Sequence, residues 1–127
     1  MSLLAEHAEV QYAVMSGFAA DYLYAMRSAL LDASPAGVHW VVALATPKTV
    51  RKPERVRLYV LVASADVAFK VIQVLSRVLT PVFRSTLVLP SIGTIDAEEW
   101  ARQVADRLPI YRSIRRRGVL VYAENAG

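Results

Sequence analysis

The stretch Val38–Ala63, VHWVVALATPKTVRKPERVRLYVLVA, decides the fold. Its first eight residues, Val38 to Ala45, are apolar apart from His39, which is the pattern of a strand covered on both faces. The segment Thr46 to Glu54 carries two prolines and three basic residues, which break any regular element. From Arg55 the chain alternates charge and bulk for three residues and then runs apolar to Ala63, so a second strand follows. A nine-residue loop between two strands predicts an antiparallel pair. Side chains of a strand repeat every second residue, so Arg55 and Arg57 share one face at the entrance of the second strand.

Working outward, Ser64 and Asp66 read as the N-cap and first turn of a helix with the apolar stripe Val67, Val71, Val74/Leu75 and Val78. Thr80-Pro81 reads as its end. Val82 to Leu89 then reads as a third strand and Pro90 to Gly93 as a turn. Asp96-Ala97-Glu98-Glu99 has the form of a capping box, starting a helix that runs through Trp100 and Val104 to about Leu108. Pro109 restarts the chain, Ile110 to Arg117 fits a short helix stopped at Gly118, and Val119 to Tyr122 reads as a last strand or tail segment before a fraying end at Ala123 to Gly127. Upstream, Tyr12, Met15, Ala19, Tyr22, Met26 and Ala29/Leu30 recur at helical spacing between Ala5 and Asp32, with Gly17 weakening the run by roughly 1 kcal/mol relative to Ala. Tyr12, Phe18, Tyr22 and Tyr24 are expected in the core. Ser34 to Gly37 ends this helix.

This order predicts an α+β domain of the α/β type, a small mixed sheet of three strands backed by helices. Residues 1–127 are expected to form one domain, with 1–25 as an N-terminal helical extension. The second and third strands flank a helix and are expected to be parallel with a right-handed crossover. Val41, Val42, Leu44, Leu58, Val60, Val62, Val71, Leu75, Leu87 and Leu89 are the expected core.

The 127 residues are 55% hydrophobic and contain no cysteine, so disulfides and thiolate metal sites are excluded. No stretch approaches the ~20 apolar residues that span a bilayer, and no signal segment opens the chain, so no membrane partner and a cytoplasmic location are expected. The net charge of +4 is unevenly placed. Lys48, Arg51, Lys52, Arg55 and Arg57 face Glu54 alone within one short segment, and Arg112, Arg115, Arg116 and Arg117 form a second cluster. Such clusters favour acidic or polyanionic partners. His39, with no carboxylate near it in sequence, reads as structural. No nucleophile signature, metal-ligand cluster or acid pair marks a catalytic centre, so no catalytic or metal-binding residues and no cofactor are assigned, and the reading leans away from an enzyme.

Three features taken together resemble the minimal nucleotidyltransferases of the DNA polymerase β superfamily. Val41 to Thr46 stands where that family has a strand ending in Gly-Ser. Pro53-Glu54-Arg55-Val56-Arg57-Leu58 stands where its Asp-x-Asp-Leu strand would open, and Tyr111 to Tyr122, YRSIRRRGVLVY, is similar to its closing helix and apolar tail. The resemblance covers roughly residues 26–122 and implies a nucleotidyltransferase-like fold. It also implies a triphosphate cleft with Mg²⁺ held by carboxylates.

The departures change the expected chemistry. Ala45-Thr46-Pro47 keeps a hydroxyl but lacks the glycine, Arg55 and Arg57 are permanently protonated and cannot ligate a metal, and Val82 to Leu89 offers Arg84, Ser85 and Thr86 in place of a third carboxylate. What the resemblance then implies is a catalytically degenerate member acting as an interaction module, antitoxin-like, with a helical HEPN-type protein as partner. The alternative is a noncatalytic binder of nucleotide or nucleic acid through Thr46, Lys48, Arg51, Lys52, Arg55, Arg57 and Arg84. A third reading is an active transferase with displaced metal ligands, and a second copy of the chain is a further candidate partner.

Overall fold

The computed structural model describes residues 17–46, 55–86 and 91–124. Helix α1 (Gly17–Ala33) leads into β1 (Val38–Thr46), which pairs antiparallel with β2 (Arg55–Val62). A 3-10 turn at Ala65–Val67 opens α2 (Ala68–Thr86), and β3 (Ser91–Asp96) follows. Helices α3 (Ala97–Asp106) and α4 (Pro109–Arg117) and strand β4 (Val119–Ala123) complete the chain. The four strands lie in the order β3-β2-β1-β4, with β2 and β3 parallel and β1 and β4 antiparallel. The class is the expected α+β mixed sheet; among the described residues the expected count of three strands rises to four because Val119–Ala123 adds to the β1 edge.

The third strand lies elsewhere than the sequence reading put it. Val82 to Thr86 is the last part of α2, and Pro81 sits inside that helix. The helical stripe continues through Leu79 and Val82, both buried, so burial of one face outweighs the missing Pro81 N–H. Thr80 Oγ1 donates to the Ser76 carbonyl at 2.6 Å, one of the side-chain bonds that occupy backbone acceptors beside the proline. The true third strand is Ser91–Asp96, SIGTID, part of which had read as a turn. As an edge strand it needs only one covered face, and Ile95 is its one buried residue. Leu87 and Leu89, expected in the core, lie outside the described residues.

The sheet separates two apolar layers. Val41, Ala43, Val56, Leu58, Val60 and Val62 face α1 and α2, packing on Tyr22, Met26, Leu30, Val71, Leu75 and Leu79. Tyr22, Leu23, Met26 and Leu30 are fully buried, each worth about 1.5–3 kcal/mol relative to exposure. Among the described residues the Tyr22 hydroxyl has no hydrogen-bond partner, and desolvation by burial holds its pKa above the ordinary phenol value. Tyr24, also expected in the core, is instead 65% exposed on the outer side of α1, two positions from Tyr22 and hence off its face. Tyr12 lies outside the described residues, as does the side chain of Phe18.

On the opposite layer, Trp40, Val42, Leu44, Leu61 and Ile95 pack with Ile114 of α4. Trp100 of α3 meets Trp40 edge-on at 5.0 Å and Tyr111 at 5.8 Å. Asp96 is the N-cap of α3 as expected, accepting the Glu99 N–H at 2.8 Å, but Glu99 does not return the bond. Its carboxylate takes Arg102 and Gln103 instead. Ser64 occupies the cap position of the 3-10 turn before α2 without a side-chain bond, which departs from its expected role. Glu124, expected to fray, ends the sheet: its N–H donates to the His39 carbonyl at 3.0 Å and its carboxylate meets His39 Nδ1 at 2.6 Å. His39 therefore has the carboxylate partner that its sequence neighbourhood lacks.

Candidate anion-binding face

Arg57 is the residue of the first basic cluster whose side chain lies within the described residues. It points to the α3 and α4 side of the sheet because its cross-strand partner is Leu44, a member of that layer, and on β3 it stands beside Ser91. Alternation puts Tyr59 on the same side, and the Arg57 guanidinium carbon lies over the Tyr59 ring, 5.0 Å from its centroid. Tyr59 is level with Gly93 on β3. A Cβ at Gly93 would stand 3.5 Å from an Arg57 terminal nitrogen, an ordinary contact distance, so the Arg57 side chain lies alongside this glycine. Arg57 is exposed and Tyr59 half-buried.

Helix α4 brings the second cluster to this side. Ile114 is buried against Trp40, Val42 and Leu44, and Gly118 packs on Val42, so the C-terminal end of α4 lies over β1. Val119 then pairs with Ala43, one position from Leu44, the partner of Arg57. Two strand spacings separate Arg57 from the start of β4, roughly 10 Å. Arg112, Arg115, Arg116 and Arg117 are exposed. Arg117 follows Ile114 by three residues and so stands on the sheet-facing side of the helix at its end. Arg115 donates to the Tyr111 hydroxyl at 3.0 Å. Arginines in the last turn also complement the negative end of the helix dipole.

The remaining expected site residues divide. Thr46 and Arg55 are the last paired positions of the β1–β2 hairpin, and their side chains lie outside the described residues. Lys48, Arg51 and Lys52 lie wholly outside them. Arg84 is not part of this face: it sits in the last turn of α2, on the other layer of the sheet. It was assigned to the face only because Val82 to Leu89 read as a strand.

Ser91 is level with Arg57, whereas Asp96, the one acid of β3, is level with Val62. Five residues along a strand put Asp96 about 17 Å from Ser91, and its carboxylate is engaged in capping α3. Among the described residues, no group of three or more His, Asp or Glu could hold a metal ion, and no helix is long and apolar enough to cross a membrane.

Tyr59 and Gly93 were not singled out from the sequence. The i, i+2 spacing of Arg57 and Tyr59 was a usable signal; Gly93 had none, because its residue neighbours it only through the parallel β2–β3 pairing. No protein-family model, curated protein or solved structure matches the chain.

Proposed function

We propose that this chain is a noncatalytic protein on a nucleotidyltransferase-like scaffold that binds nucleotide or nucleic-acid phosphates on the Arg57 face. The observation that carries the reading is the Arg57 guanidinium held over the Tyr59 ring, 5.0 Å from its centroid, at the strand position where the resembled family places a metal-binding carboxylate. An arginine there attracts anions directly, through paired N–H donors, where a carboxylate would need Mg²⁺ as a bridge. Ser91 and Leu44, its two cross-strand neighbours, carry no negative charge to compete for it. The arginines of α4 extend the positive surface.

Converting Arg55 and Arg57 together to Asp tests this. Polyanion binding, measured by anisotropy at two salt concentrations, is expected to vanish while the folded circular dichroism spectrum remains. The wild type should lose affinity steeply with salt, because each neutralised phosphate releases a counterion. Undiminished binding by the double variant would refute the reading.

A second reading, an antitoxin-like interaction module with a HEPN-type helical partner, is favoured by a different observation. Tyr24 and Leu31, 65% and 47% exposed, lie seven residues apart on one outer stripe of α1. A HEPN-type protein encoded beside this chain should co-elute with it from size exclusion, and Tyr24→Asp with Leu31→Asp should separate the two. Co-elution unaffected by that change, or none at all, removes this reading.

A further inference from the structure

Resting on the anion-binding reading, we propose that the Arg57 face is a platform for single-stranded nucleic acid. One base stacks on the Arg57–Tyr59 pair while the flanking phosphates run across β1 to the arginines at the end of α4. Two features narrow the ligand. The first is placement: β2, which carries Arg57, and the start of β4, where α4 ends, lie two strand intervals apart, roughly 10 Å between backbones, a span that successive nucleotides of a chain cover.

The second feature is how Arg57 is held. Its guanidinium lies over an aromatic ring, with one terminal nitrogen alongside Gly93. An arginine in this position offers a planar cation on which an unstacked base can lie, and every base has a face suited to it. In a duplex those faces are already occupied by neighbouring base pairs, so the platform would be unused and only phosphate attraction would remain. Recognition of this type tolerates sequence and discriminates strandedness.

Fluorescence anisotropy with labelled oligonucleotides of about 12 nucleotides, oligo-U and oligo-dT as single strands and a duplex of equal length, tests the proposal on the full chain, with ATP as competitor. Single strands are expected to bind about tenfold more tightly than the duplex, the range that one stacked base supplies. Arg57→Lys keeps the charge but loses the planar stack, and Tyr59→Leu keeps apolar bulk but loses the ring. Each should weaken single-strand binding about five- to tenfold and leave duplex binding unchanged. Arg117→Ala with Arg116→Ala, both in the last turn of α4, should weaken both ligands and flatten the salt dependence. Equal affinity for single strand and duplex, unaffected by Arg57→Lys and Tyr59→Leu, overturns the platform and leaves the anion-binding reading standing. Binding of ATP without any oligonucleotide binding does the same. If neither oligonucleotide nor ATP binds, both fall together.

Discussion

Gly118 touches Val42: a Cβ built on the glycine would stand 2.8 Å from Val42 Cγ1 and would overlap the Ile114 carbonyl oxygen. The Gly118 N–H donates to that same carbonyl at 2.8 Å, closing α4 against the sheet. The glycine backbone is extended (φ −68°, ψ 142°), so the requirement is for space and not for a left-handed conformation. Gly118→Ala is therefore expected to destabilise the fold by about 2–3 kcal/mol, as overpacking does in a filled core. A shift of the urea midpoint to lower concentration at unchanged slope would record it. An unchanged midpoint would mean that α4 does not sit this close to β1.

Gln103, the one buried polar side chain among the described residues, joins α3 to α4. Its Oε1 accepts the Tyr111 N–H at 3.3 Å and its Nε2 donates to Glu99 at 3.1 Å. Tyr111 lies in the first turn of α4, whose N-cap Leu108 supplies no side-chain acceptor, so the preceding helix provides the missing cap. Gln103→Ala should cost about 1–2 kcal/mol, a lost cap together with a small cavity. Hydrogen exchange of the Tyr111 amide should accelerate before that of the β1 and β2 amides. Equal acceleration everywhere would contradict a local capping role.

Pro81 removes the N–H that would bond the Arg77 carbonyl within α2, and its ring is exposed. Pro81→Ala restores the donor and is expected to raise stability by about 1–3 kcal/mol, read as an increase in Tm. A lower Tm would show that the packing of Leu79 and Val82 depends on a bend at this proline.

The Glu99 carboxyl is held below its usual range, chiefly by its hydrogen bonds to Arg102 and then to Gln103. A carboxyl depressed on folding stabilises the native state above its unfolded pKa, and that contribution disappears as pH falls through the folded value. Wild type should thus exceed Glu99→Gln in Tm at neutral pH by a small margin, since the group is solvent-screened. The margin should close as pH drops from about 5 to about 2. A margin that widens on acidification would have the wrong sign for this linkage.

The sequence by itself determined what rests on neighbouring residues. The apolar runs of β1 and β2 admit no other element of that length, the Asp96 cap and the Pro109 start follow from backbone groups within one turn, and the position of Arg57 on its strand follows from the two-residue period. Only the tertiary structure decided between elements whose local signals compete. VFRSTLVL has the composition of a strand, yet its first five residues stay helical because Leu75, Leu79 and Val82 bury one continuous face on the sheet. Ser91 to Gly93 reads as part of a turn, yet SIGTID becomes a strand because β2 offers an open edge of hydrogen-bonding groups beside it. The site shows the same division. Two basic clusters were legible as sequence, but the placing of Arg57 and the end of α4 on one side of β1, the seat of Arg57 beside Gly93 and the pairing of His39 with Glu124 arise between residues distant in the chain. Such contacts are fixed by strand register and helix packing, which depend on the whole core and leave no periodic mark in the segments they join.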